Sequence, residues 1–198
     1  MKISTVTTTI VGMAPLSQSR QHEEERLEGE SHDAYDKRTW RSKLNVSLNT
    51  GTVIIPQHGM HQAIIAAARY SGKQIPGQGK KTWTAKFTTG IAIADEIDLG
   101  IYPEDVGSII ISANSDGVRG SGKRVPRKFP MIHDWSVTFD TWILDPIITE
   151  AVWTEMISLT GMFIGVGRFR PEKGGQNGRF KVQQVEWKDG VSGVEIAA

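Results

Sequence analysis

Three stretches of the chain bring glycine, lysine or arginine, and aromatic residues together at close spacing. The first carries Lys73, Lys80, Lys81 and Lys86, with Trp83 among them. The second carries Arg119, Lys123, Arg124, Arg127 and Lys128 beside Phe129, with Asp116 as its single acid. The third carries Arg168, Arg170, Lys173, Arg179 and Lys181, interleaved with Phe169 and Phe180 and opposed only by Glu172. Glycine lets backbone amides approach a phosphate, cations neutralise it, and a ring offers a face to an unstacked base. These residue types in these patterns predict a groove for single-stranded nucleic acid. Its binding residues would be Lys80, Lys81, Arg119, Lys123, Arg124, Arg127, Lys128, Arg168, Arg170, Lys173 and Arg179. The plainer alternative is three solvated basic loops.

Other chemistries find weaker spacing. Gly117–Arg124 (GVRGSGKR) matches the first seven positions of a phosphate-binding loop. Arg124 then stands where a hydroxyl must hold magnesium, and Val125-Pro126-Arg127 cannot open the required helix. Gly165-x-Gly167 lacks the third glycine of a dinucleotide fingerprint, because Arg170 occupies its place. His58 and His61 fall three residues apart near a helix start, but two histidines without a third ligand make a weak metal site. His32, Asp33 and Asp36 could surround a divalent ion, with a solvated flap as the simpler expectation. The chain has no cysteine, which excludes disulfides, thiolate zinc sites and thiol catalysis. No catalytic residue, metal or cofactor is assigned.

The whole chain of 198 residues balances 23 Lys plus Arg against 22 Asp plus Glu, a net charge of +1. Any polyanion must therefore be recognised by local clustering, not by overall charge. Apolar residues at 38% and charged residues at 23% exclude wholesale disorder. No apolar run approaches the ~20 residues of a membrane helix. Met1–Met13 is Thr-rich with one lysine, unlike a secretory signal. The expectation is a cytoplasmic protein with no membrane partner, folded as one domain over residues 1–198.

The elements that must position these clusters follow from periodicity. Residues 3–13 alternate and are β-branched, so they predict an opening strand. Residues 18–43 form a polar block, acidic first and basic afterwards, with Tyr35 and Trp40 as its large apolar anchors. Such a block should leave the sheet as an excursion and stay out of the core. A short strand at 52–55 stops at Pro56, and Gln57–Tyr70 should be a helix facing inward through Met60, Ile64, Ala67 and Ala68. Strands are predicted over 82–93, 108–113, 135–144, 162–166 and 179–187. Between them lie loops at 72–81 and 167–178, and a loop or long hairpin at 114–130. Thr149 should cap a helix over 150–160 with Val152, Met156, Ile157 and Leu159 inward, ended by Gly161. Without its insertions at about 18–43 and 114–130, the order is βαββαβ. The predicted class is α+β, with a ferredoxin-like core of antiparallel strands and inserted projections.

Several of these residues resemble a known family. The helix Thr149–Leu159, then Phe163-Ile164-Gly165-x-Gly167-Arg168, then Gly174-Gly175-x-x-Gly178-Arg179-Phe180, is similar to the C-terminal glycine-rich signature of the RAMP superfamily. These are the repeat-associated RNA-binding proteins of CRISPR effector complexes. Val53-Ile54-Ile55-Pro56 followed by Gln57–Arg69 resembles the strand-Pro-helix element of their backbone subunits, although His58-Gly59-Met60-His61 replaces the usual small hydroxyl residues. The two stretches cover about 45–75 and 135–187. The chain is short for such a subunit, which fits a reduced form, including one carried by a phage or mobile element.

The resemblance implies an RNA-recognition-motif-like core and a non-enzymatic subunit that oligomerises head-to-tail along guide RNA, in company with other effector subunits. It makes 114–130 a candidate for an extended hairpin and 18–43 for a second projection. In some members an acidic residue before the strand-Pro-helix element cleaves target RNA with a metal. Asp33 and Asp36 lie on that side of Pro56, in sequence that matches the family too poorly to assign either. Two alternatives stand beside this expectation. One is a RAMP-like processing ribonuclease using His58 or His61. The other is a phage structural or single-stranded-DNA-coating protein.

Overall fold

The computed structural model describes residues 3–114 and 124–191. Strand β1 (Ile3–Gly12) sits inside a four-stranded sheet because its alternate residues Val6, Thr8 and Ile10 are fully buried, while the threonines between them face outward. Thr8 is the polar exception on the inner face, and the indole Nε1 of Trp153 donates to its hydroxyl at 3.0 Å. After β2 (Leu16–Ser17), helix α1 (His32–Thr39) starts at Ser31, whose hydroxyl accepts from the Ala34 amide. A single 3₁₀ turn (Trp40–Lys43) follows. Strand β3 (Ile54–Ile55) then runs into Pro56 and α2 (Gln57–Ser71), where Met60, Ile64, Ala67 and Ala68 are all buried as the periodicity predicts.

The next segment differs from expectation. Residues 82–89 are predicted as strand, but Trp83–Thr89 forms a helix, α3, and only Ile91–Ile93 is strand, β4. Trp83 and Phe87 lie one helical turn apart, both buried, with ring centroids 6.4 Å apart. That shared burial overrides the β-branched threonines around them. Gly90 closes the turn by donating to the Lys86 carbonyl at 2.7 Å. Short β5 (Ile97–Asp98) pairs with β3. The hairpin of β6 (Gly107–Asn114) and β7 (Arg124–Ile132) follows, with β2 on the far side of β7. The expected tip of this hairpin, including Arg119 and Lys123, lies outside the described residues.

Strand β8 (Ser136–Ile143) alternates as predicted, and Thr149 caps α4 (Glu150–Leu159) by accepting from the Val152 amide. Gly161 does not end that helix, and residues 162–166 are not a strand. The chain passes straight into one π-helical turn (Thr160–Ile164) that stops at Gly165. A Cβ at Gly161 would overlap the Phe180 carbonyl, so glycine here permits close packing on the last strand, β9 (Phe180–Val191).

The main sheet has the order β4-β8-β1-β9, with every neighbouring pair antiparallel. Both long helices bury apolar faces against it, through Met60 and Ile64 of α2 and Trp153, Met156 and Ile157 of α4. The architecture is α+β with antiparallel sheets. No described helix is long and apolar enough to cross a membrane.

Residues 18–43 do not simply leave the body. Gln18 is buried, donating to the Ile54 carbonyl at 2.8 Å and accepting from the Asn45 amide at 2.7 Å. Asp36 and Trp40 are buried too, against β7. The expectation of a wholly solvated excursion fails because Asp36 finds cations inside the fold that make its burial tolerable.

Candidate nucleic-acid interface

A cleft of about 690 Å³ opens between one face of α2, the start of the arm at Ser19-Arg20, and the glycine-rich loop 165–173. Arg20, Arg69, Arg168, Arg170 and Lys173 line it, against Glu172 as its one acid among the described residues. Helix α2 presents its polar stripe to the space, because His58, Gln62, Ala66 and Arg69 recur at helical spacing opposite the buried face. From His58 to Arg69 that stripe runs about 16 Å. Pro56 begins the helix without any side-chain cap, so the first-turn amides beside the cleft lack intrahelical acceptors and add positive potential.

The loop holds its shape through close backbone contacts. Gly178 has φ +68° and donates to the Pro15 carbonyl, while a Cβ there would overlap the Val166 carbonyl. A Cβ at Gly175 would likewise overlap the Phe169 carbonyl. Phe169 itself takes φ +57°, a strained setting for a bulky residue. In that setting its ring flanks Arg168. The Arg168 guanidinium lies 4.0 Å from the Phe129 ring centre and 4.5 Å from that of Phe169, and it donates to Ser19 Oγ at 3.0 Å. Burial lowers the Arg168 pKa, and its Nε has no hydrogen-bond partner among the described residues. Arg168 thus joins the cleft wall to the hairpin.

Arg170 and Lys173 both lean on Glu172, at 2.7 Å and 3.3 Å. Burial raises the Glu172 pKa, but hydrogen bonds and charge from Arg170 and Lys173 outweigh it, and the net shift is downward. One carboxylate between two cations leaves the cleft positive. Arg179 does not line it. Its guanidinium turns outward, donating to the Met162 carbonyl and, at 3.3 Å, to Gln176 Oε1.

The remaining sequence candidates lie elsewhere. Lys80 and Lys81 are exposed in the loop before α3 and do not line the cleft, while Lys73 and Lys86 are paired with Glu155 and Asp145. Arg124 donates to the Ser112 carbonyl across the hairpin. Arg127 comes within 3.9 Å of Asp36, and the Lys128 ammonium sits 4.6 Å from the Trp40 ring centre. Lys43 donates to Asp36 at 2.6 Å and to the Lys128 carbonyl at 2.7 Å. Asp36 is therefore a structural counter-ion, and Asp33 pairs with Lys37. The two histidines diverge: His61 Nε2 donates to the Phe87 carbonyl at 3.1 Å, whereas His58 faces the cleft. Sequence reasoning missed Arg20 and Arg69. The polar stripe of α2 was the available signal for Arg69, and nothing local marks Arg20.

No protein-family profile matches the chain, and no curated protein matches it in sequence. Solved structures do match in fold. The chain shares the fold of RAMP-like subunits of type III-B CRISPR complexes, in agreement with the sequence resemblance. Cmr6 from Pyrococcus furiosus superposes with a TM-score of 0.51 at 12% identity, over 92% of this chain and 99% of that one. A chain of the type III-B Cmr-beta complex bound to cognate target RNA superposes with a TM-score of 0.50 at 9% identity, over 95% of this chain. The chain spans 61% of the length of that second relative.

Proposed function

We propose that the chain is a non-catalytic RNA-binding subunit of a CRISPR-type ribonucleoprotein, and that the cleft beside α2 holds the RNA backbone. One observation carries this. In a chain of net charge +1, five cations from three separate segments converge on one cleft with a single acid among them. The helix end at Pro56, which has no side-chain cap, suits phosphate oxygens there. The fold shared with Cmr subunits supports RNA as the polyanion and other effector subunits as partners. We read β1, α2, β4, β8, α4 and β9 as a ferredoxin-like βαββαβ core. The strand order β4-β8-β1-β9 and the alternation of elements support that assignment. Copies adding head-to-tail along a guide strand complete the proposal.

Fluorescence anisotropy with labelled single-stranded RNA tests it. Binding should tighten as salt falls, and a variant carrying Arg20→Ala, Arg69→Ala and Lys173→Ala should flatten the slope by about 0.7 log units per lost contact. The RNA should remain intact, and sedimentation should show a larger species with long RNA than without it. Failure to bind RNA or single-stranded DNA at low salt overturns the proposal. Cleavage of the strand overturns its non-catalytic part.

A further inference from the structure

Outside the cleft, one aromatic pair is left in water. Tyr70 near the end of α2 is 60% exposed and Phe163 in the π-helical turn is 47% exposed. Their rings stack with centroids 5.2 Å apart and planes 23° apart. Met162 beside them is 41% exposed. The surroundings are cationic. Arg69, which precedes Tyr70, lines the cleft, and Gly165 of the cleft wall follows Phe163 by two residues. On the other flank, Arg179 is held against the Met162 carbonyl. A guanidinium has five N–H donors, and the bonds to Met162 and Gln176 use two of them.

We propose that Tyr70 and Phe163 form a stacking platform for unpaired nucleobases of a strand whose phosphates lie in the cleft, with Arg179 contacting a phosphate beside the platform. This rests on the cleft being the nucleic-acid interface. Charge selects the occupant. An apolar protein surface covering the pair would strip water from Arg69 and Arg179 without supplying anions, whereas a nucleotide brings a flat π face and a phosphate together. The platform is indifferent to sequence, since every base offers a π face. It would therefore suit a strand bound mainly through its backbone.

The test uses the full chain, a labelled mixed-sequence RNA, and an abasic strand with the same number of phosphates. Tyr70→Ala with Phe163→Ala should weaken RNA binding about tenfold or more, leave abasic binding unchanged and keep the salt slope. Tyr70→Phe should retain RNA binding. Phe163→Leu, which keeps apolar bulk without a flat ring, should lose it and so separates stacking from packing if the alanine variant folds poorly. Arg179→Ala should reduce the salt slope by about 0.7. If the wild type binds RNA and the aromatic variants bind it equally well, the platform is wrong and the cleft stands. If the wild type binds no strand at low salt, both fall together.

Discussion

Strand β7 and the glycine-rich loop start from the same ingredients, basic residues next to phenylalanine, and finish in different electrostatic settings. Along β7, the basic residues meet an acid delivered from 92 residues away in sequence, because Asp36 accepts from the Lys128 amide and lies beside Lys43 and Arg127. The Lys128 ammonium is covered by Trp40. Around the loop, only Glu172 answers five cations, and it does so at the surface. The difference teaches that a basic segment stays available to a ligand where the counter-charge within reach answers only part of its cations. Residue type and local spacing are alike in the two regions. The tertiary partner decides.

The comparison can be broken most sharply at Asp36. Its side chain is 6% exposed and that of Lys43 is 12% exposed, so Asp36→Ala leaves the buried Lys43 ammonium without its carboxylate. We expect a loss of about 3 kcal/mol in urea unfolding, with RNA affinity of the cleft unchanged. A loss below ~1 kcal/mol would mean that the arm is not locked to β7 by this pair.

Arg168 comes next, because it belongs to both regions. Arg168→Ala should cost about 1–2 kcal/mol of stability through the lost cation–π contacts with Phe129 and Phe169, and should also weaken RNA binding. Arg168→Lys should not rescue the stability, since a compact ammonium cannot reach both rings and Ser19 as the broad guanidinium does. Lys173→Ala, by contrast, should change stability by no more than about 0.5 kcal/mol while still lowering the salt slope of binding. Equal effects of the Arg168 and Lys173 changes on the unfolding midpoint would erase the distinction drawn here.

The gentlest probe is pH, read at the arm, where the largest downward shift falls. A hydrogen bond from Arg38 lowers the Glu30 pKa from 4.5 to about 2, and a hydrogen bond from Ser42 lowers that of Glu24. A carboxylate with a depressed folded-state pKa stabilises the fold above its unfolded value and loses that contribution as pH falls through the folded one. Protection of the amides at 24–31, relative to their intrinsic exchange rate at each pH, should therefore fall between about pH 4.5 and pH 2, while protection in β1 stays high. A uniform loss of protection across both would show that the arm is not a separable unit.

Much of the scaffold could be read from the sequence, because β1, α2, β8 and α4 each carry one dominant period over eight residues or more. The failures fall on short segments. Residues 83–89 offer one helical turn of aromatic spacing amid β-branched threonines, and local pattern cannot choose between them. Residues 160–165 look like a breaker followed by a strand until Phe180 is seen packed on Gly161. The site divides in the same way. Arg168, Arg170 and Lys173 are contiguous and were visible, whereas Arg20 and Arg69 reach the cleft only through pairings made over long distances. The sequence also could not reveal which lysines and arginines were already committed, since Asp36 and Trp40 read as parts of a solvated block.

The position of β1 also sets the order of events during synthesis. It is flanked on both sides, by β8 through pairs such as Val11↔Ser136 and by β9 through pairs such as Gly12↔Phe180. A chain growing at about 5–20 residues per second needs roughly 6–25 s to extend from residue 12 to residue 136, and longer to reach β9. Throughout that interval a β-branched strand with two open hydrogen-bonding edges waits on the ribosome, exposed to other nascent chains. Yield of correctly folded protein should therefore depend on translation speed and chaperone supply more than the finished molecule's stability would suggest.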